Sequence, residues 1–153
     1  MEAQKIYGLF YIWMIIMEKD VYSCIKEYEA GKVYELPSSV NWIKLLDYIN
    51  LNFSGAQIWV FAYLDYNLAV KLMKKSLSEK AANQIINRRC EFYRFDSMDF
   101  SQLYRNIFLD VMEHKSEWLI IKNSERFMEA NRSYIQELAQ KLNLKVITMC
   151  KEQ

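Results

Sequence analysis

Three aspartates stand after apolar segments of the chain, where their carboxylates could bind a metal ion. The apolar segment Ala56–Asp65 ends in Asp65. Asp96 and Asp99 follow the shorter segment Glu91–Phe95. Ligands of open α/β sheets bind at the carboxyl ends of the strands, and Mg²⁺ prefers oxygen ligands. If these segments are parallel strands, Asp65, Asp96 and Asp99 are candidate catalytic residues of a Mg²⁺-dependent nuclease or phosphoryl-transfer enzyme.

The same residue types are also the usual N-caps of helices, because their side chains accept hydrogen bonds from the first free N–H groups. A helical pattern follows Asp65, another follows Asp96, and a third follows Asn123 and Ser124. We therefore favour capping over metal binding at these positions. On this interpretation the protein is not an enzyme and needs no cofactor, and Mg²⁺ belongs to the alternative.

A basic stretch lies between residues 71 and 94. It holds seven lysines and arginines against two glutamates, a local charge of +5, whereas residues 96–117 hold five acidic residues against two basic ones. Arginine forks bind phosphates and aromatic rings stack on bases, so the stretch could bind nucleic acid or an acidic protein. Solvated lysines on a helix surface are the simpler interpretation. The candidate binding residues are Lys71, Lys74, Lys75, Arg88, Arg89 and Arg94.

The segment Ile6–Met17 is strongly hydrophobic and rich in aromatic residues. It is shorter than the roughly 20 residues that span a membrane, and it lacks the basic leader and cleavage site of a signal peptide. We expect a buried strand here, with one long helix over residues 6–30 as the alternative. Because Tyr and Trp are common at protein interfaces, Tyr7, Tyr11 and Trp13 are candidate interface residues.

Several common enzyme motifs are absent from the sequence. The three glycines form neither a P-loop nor a dinucleotide-binding motif, and there is no nucleophile-elbow motif. His114 is the only histidine, which excludes a histidine-rich zinc site and argues against a Ser–His–Asp triad. Cys24, Cys90 and Cys150 are widely spaced, so we expect reduced, mostly buried thiols in a cytoplasmic protein.

Short apolar segments alternate with amphipathic helical patterns along the chain. The strands predicted after the N-terminal segment are Lys32–Leu36, Ala56–Asp65, Glu91–Phe95, Trp118–Lys122 and Lys145–Cys150. The first of them alternates apolar and polar residues, which is typical of an edge strand. This rhythm predicts a single-domain α/β fold, a three-layer sandwich with a mostly parallel sheet of five to six strands and helices on both faces.

Local signals refine the predicted helices. The helix that begins near Trp42 follows Ser38 and Ser39, which are candidate N-caps. Gly31 stands where a left-handed residue would end the helix before it. In the last two predicted helices, Phe108 and Tyr134 belong to the apolar stripes, so we expect both side chains to face the core.

These observations favour a non-enzymatic interaction or regulatory module that recognises another macromolecule, with homodimerisation as one form. The partner is then another protein or a second copy of the chain, and no transmembrane segment is predicted. The Mg²⁺-dependent enzyme is the first alternative, and nucleic-acid binding through residues 71–94 is the second. The fold class does not choose among them, because one α/β scaffold hosts many functions.

Overall fold

The computed structural model of the chain describes residues 21–61, 66–67, 71, 90–94, 100–122 and 125–150. These residues form five strands and three α-helices, with a further helical turn at residues 21–25. The strands are β1 (Val33–Pro37), β2 (Ala56–Phe61), β3 (Cys90–Arg94), β4 (Ser116–Lys122) and β5 (Lys145–Cys150), and the helices are α1 (Trp42–Asn52), α2 (Phe100–His114) and α3 (Glu125–Leu142).

All five strands are parallel and lie in the order β1-β5-β4-β2-β3. The chain crosses from β1 to β2, adds β3 beside it, and returns to place β4 and β5 between β2 and β1. Among the described strands, β1 therefore lies at an edge of the sheet, as its alternating sequence predicts. The predicted α/β fold with a mostly parallel sheet is confirmed.

Apolar side chains cover both faces of this sheet. All six residues of β2 are buried. Trp59 and Phe61 pack on the face that also contacts α1 and the turn at 21–25, whereas Ile58 and Val60 pack with α2 and α3. Successive side chains of a strand point to opposite faces, so a strand that is buried throughout requires helices on both sides of the sheet.

Helices α2 and α3 both end in a residue with a left-handed backbone. The φ angle of Lys115 is 53° and that of Asn143 is 55°. The Lys115 N–H donates to the Val111 carbonyl, and the Leu144 N–H donates to the Ala139 carbonyl, each at 3.0 Å. These hydrogen bonds satisfy carbonyls at the helix ends and lead each helix directly into the next strand.

The cap of α1 differs from the prediction. Asn41 Oδ1 accepts hydrogen bonds from the Ile43 and Lys44 N–H groups at 3.0 and 3.2 Å. The predicted caps Ser38 and Ser39 lie in the turn before Asn41. The sequence correctly predicted a polar N-cap for α1 but placed it too early in the chain. Ser38 and Ser39 belong to the turn that follows β1, and the helix begins only after Asn41.

Gly31 has the predicted left-handed backbone, with a φ of 87°. The helical turn nevertheless ends at residue 25, so Gly31 does not close a helix as expected. Its N–H donates to the Leu144 carbonyl at 2.8 Å. The glycine therefore aligns the entry of β1 with the connection between α3 and β5.

Two further predictions reach beyond the described residues. The predicted strand Ala56–Asp65 corresponds to β2, which ends at Phe61, and residues 62–65 lie outside the described part. The segment Ile6–Met17 also lies outside it, so the choice between strand and helix stays a prediction. Among the helices that the structure describes, none is long and apolar enough to cross a membrane.

Gln57 is a polar side chain buried within the apolar face between the sheet and α1, with no solvent exposure. Its Nε2 donates to the Leu46 carbonyl at 3.1 Å and to Asn50 Oδ1 at 2.9 Å. Its Oε1 accepts a hydrogen bond from Trp59 Nε1 at 2.9 Å. Buried polar groups are stable when they are hydrogen-bonded, and these bonds fix α1 over β2.

The substitution Gln57→Leu should lower the free energy of unfolding by about 1–3 kcal/mol, because it leaves the buried Trp59 N–H without its acceptor. Urea denaturation followed by far-UV circular dichroism measures this change. Gln140→Leu, at an exposed position of α3, is the matched control and should change stability by less than about 0.5 kcal/mol. Equal, small effects in both variants would contradict the role assigned to Gln57.

Candidate functional site

Most residues predicted to carry function lie outside the described part of the chain, so their roles stay predictions. They comprise the candidate catalytic aspartates, four of the six basic residues and the candidate interface residues: Asp65, Asp96, Asp99, Lys74, Lys75, Arg88, Arg89, Tyr7, Tyr11 and Trp13.

Two residues of the basic stretch are described. Lys71 is exposed. Arg94, at the end of β3, is half-buried, and its guanidinium carbon lies 5.3 Å from the centroid of the Tyr66 ring. This cation–π contact holds Arg94 against the chain's own surface. Nucleic-acid binding through the stretch stays a prediction.

Three side chains with metal-ligating groups meet between β3 and α2. They are Glu91, Asp110 and His114, and one potential ligand atom of each lies within 4.8 Å of the others. Asp110 and His114 are four residues apart and so share a face of α2. Glu91 pairs in register with Ile58 of β2, which points to the sheet face that α2 covers. We call these three residues the Glu–Asp–His cluster.

Asp110 is the most buried member of the cluster, with 8% of its surface exposed. Its Oδ2 accepts a hydrogen bond from the hydroxyl of Tyr93. Tyr93 follows Glu91 by two residues in β3, so both point to the same face of the sheet. A buried carboxylate is costly without such a partner. The hydrogen bond therefore orients the carboxylate and holds α2 against the edge strand.

His114 is the last residue of α2 and is partly buried. Its Nε2 is shielded from solvent and has no hydrogen-bond partner within the described residues. Glu113 Oε2 lies 3.7 Å from this nitrogen, which is beyond hydrogen-bonding distance. A ligand that binds this nitrogen would therefore not replace a hydrogen bond to any described residue.

The Glu–Asp–His cluster lies at the amino ends of the strands. Glu91 is the second residue of β3, and His114 precedes the first residue of β4 by two positions. The predicted metal site depended on aspartates that follow the carboxyl ends of strands. The cluster is therefore not the site that the sequence predicted.

Sequence reasoning missed the cluster because it only counted Asp110 among the acidic residues of 96–117 and treated His114 as an isolated histidine. The available signals were the four-residue spacing of Asp110 and His114 and the two-residue spacing of Glu91 and Tyr93. Each spacing places two polar groups on one face of an element. Only the packing of α2 against β3 brings the two pairs together.

The two described cysteines that carry free thiols differ in exposure. Cys90 is buried as expected, whereas Cys24 is exposed. Cys90 packs in the apolar cluster on the α1 side of the sheet, opposite to the side on which Glu91 meets His114. His114 is therefore not placed to activate Cys90 as a nucleophile.

The outer side of α2 exposes three large apolar side chains. Phe108 is 41% exposed, Leu109 43% and Met112 66%. Met112 follows Phe108 by four residues and Leu109 by three, so the side chains are neighbours on the helix. The prediction that Phe108 faces the core was wrong. We call these three residues the α2 apolar surface, since contiguous apolar exposure often marks an interaction site.

Tyr134 is also exposed, contrary to the prediction that it faces the core. The buried stripe of α3 runs through Met128, Ile135 and Ala139, so Tyr134 lies at its margin. Its ring centroid lies 5.2 Å from that of Phe100 at the start of α2. An aromatic contact therefore joins the outer parts of α2 and α3.

Tyrosines near β1 pack on the chain itself. The rings of Tyr28 and Tyr34 are stacked with centroids 3.7 Å apart, and the Tyr34 hydroxyl oxygen accepts a hydrogen bond from the Glu29 N–H at 2.9 Å. Burial, and then the neighbouring Cys24 and Tyr34 side chains, raise the pKa of Tyr28 above its ordinary value. These tyrosines stabilise the fold locally and do not add to the α2 apolar surface.

No protein-family model matches the chain, and no curated protein is significantly similar to it in sequence. The function is therefore inferred from the geometry of the described residues.

The substitution Tyr93→Phe should lower the free energy of unfolding by about 1–3 kcal/mol, because buried Asp110 loses a hydrogen-bond donor. Chemical denaturation measures the change. Tyr134→Phe removes the same hydroxyl from an exposed ring and should stay within about 0.5 kcal/mol of the wild type. If both variants are as stable as the wild type, the Tyr93–Asp110 hydrogen bond does not hold α2 against β3.

Proposed function

We propose that the protein is a non-enzymatic interaction module that associates with a second copy of itself through the α2 apolar surface. The observation that carries this proposal is the exposure of Phe108, Leu109 and Met112 side by side. Removing apolar area from water contributes about 25 cal/mol per Å². A second copy that covers these side chains would gain this free energy twice, once for each chain.

The charges beside the α2 apolar surface support self-association. Arg105 precedes Leu109 by four residues and Glu113 follows it by four, and both charged residues are exposed. If two α2 helices pack antiparallel about Leu109, Arg105 of each copy faces Glu113 of the other. A two-fold interface requires such a self-complementary pattern, and charges at its rim favour the correct orientation.

The free thiols of Cys24 and Cys90 support a reducing compartment for this module. We therefore propose that the module works in the cytoplasm.

The first test replaces Met112, the most exposed residue of the α2 apolar surface. Met112→Lys should raise the dissociation constant of the dimer at least about tenfold, because each chain loses a buried apolar group and gains a charge at the interface. Leu51→Lys is the matched control, since Leu51 is 71% exposed but lies on α1, which covers the other face of the sheet. Sedimentation equilibrium over a range of concentrations measures the dissociation constant.

A charge exchange tests the antiparallel arrangement. Arg105→Glu should weaken the dimer by placing like charges opposite each other, and the double variant Arg105→Glu with Glu113→Arg should restore it. A wild type that stays monomeric at all concentrations would contradict the proposal. Equal weakening by Leu51→Lys and Met112→Lys would contradict it too, and circular dichroism of each variant verifies that the fold is intact.

A further inference from the structure

We propose that the Glu–Asp–His cluster binds a divalent transition metal ion, with Zn²⁺ as the best match. The cluster offers two carboxylates and one imidazole, whose ligand atoms lie within 4.8 Å of one another. This inference does not depend on self-association, because its residues face β3 and the α2 apolar surface lies on the outer side of the helix.

The ligand types select the class of metal. Zn²⁺ binds histidine nitrogen and carboxylate oxygen at about 2.0–2.2 Å and is stable with four ligands. Mg²⁺ and Ca²⁺ prefer sites made of oxygen atoms alone, whereas imidazole suits Zn²⁺ and its neighbours in the first transition series. Three protein ligands leave a fourth position for a water molecule.

The cluster requires only a small closure to bind the ion. Ligand atoms of a tetrahedral site lie roughly 3.3 Å apart, given the metal–ligand distances of zinc sites. Asp110 and His114 are fixed relative to each other by one turn of α2. The remaining distances involve Glu91, which lies on an edge strand and is only partly buried, and a change of its side-chain rotamer would shorten them.

Two observations besides proximity indicate a ligand. His114 Nε2 is shielded from solvent and has no hydrogen-bond partner in the described part of the chain, so the imidazole can bind a metal ion without losing a hydrogen bond at that nitrogen. The Tyr93 hydroxyl donates to Asp110 Oδ2, and hydrogen bonds of this kind commonly orient the carboxylates that bind metals.

The position of the cluster indicates what the ion would do. It lies at the amino ends of the strands, whereas substrates of open α/β sheets bind at the carboxyl ends. A bound ion would link β3, at the edge of the sheet, to the last turns of α2. Metal binding there would therefore stabilise the folded state.

The single histidine of the chain gives an unambiguous test. Zn²⁺ is titrated into the full chain while calorimetry measures stoichiometry and affinity, and ¹⁵N-resolved NMR follows the imidazole nitrogens of His114. We expect one ion per chain, a shift of one imidazole nitrogen at the same equivalence point, and a higher melting temperature. Mg²⁺ at the same concentrations should produce none of these changes.

Variants identify the carboxylate ligand. Glu91→Gln keeps the size of the side chain and should weaken Zn²⁺ binding by about tenfold or more, and His114→Gln should do the same. Glu137→Gln is the control, because it removes an exposed carboxylate from α3, which packs against β1 and β5, at the end of the strand order away from β3. This control should bind Zn²⁺ as the wild type does.

Three results would overturn the proposal. The first is the absence of saturable Zn²⁺ binding to the folded wild type, and the second is binding that leaves the His114 signals unchanged. The third is an equal loss of affinity in Glu91→Gln and Glu137→Gln, which would indicate that surface carboxylates hold the ion. The titration of the wild type tests for the first two results even if a variant fails to fold.

Discussion

Two of the three inner strands of the sheet, β2 and β4, are buried on both faces, and the need to cover them determines most of the architecture. All six residues of β2 are buried, and five of the seven residues of β4 are. Such strands require helices on both sides of the sheet. The polar side chain of β2, Gln57, is compatible with this burial because its amide forms hydrogen bonds with α1 and with Trp59.

The edge strand β3 is subject to a weaker constraint. Four of its five residues are only partly buried, so polar side chains cost less there than in β2. Glu91 and Tyr93 point toward α2, and the helix presents Asp110 to them where an apolar residue would pack against a central strand. The polar contact between the sheet and α2 is thus located at its edge.

Helix α2 departs from a simple amphipathic pattern, because it has a carboxylate on its buried side and large apolar side chains on its exposed side. Asp110 is on its inner side, next to buried Leu103 and Ile107, while Phe108 and Met112 are on its outer side. Tyr93 stabilises the inner carboxylate by a hydrogen bond, whereas the apolar side chains on the outer side remain exposed. The proposed metal ion would bind the carboxylate on the inner side of α2, and the proposed second copy of the chain would cover the α2 apolar surface on its outer side.

The sequence alone determined the α/β class, the five described strands and the edge position of β1. Continuous apolar segments and helical spacing are local patterns, and burial on one or two faces imposes them directly. The tertiary structure decided that Asn41 caps α1, that Phe108 is exposed, and that Glu91 meets Asp110 and His114. The period of a helix shows which residues share a face, but the orientation of that face depends on the partner against which it packs. In α2 the inner face carries buried Leu103, Ile107 and Asp110, and this orientation leaves Phe108 at the surface.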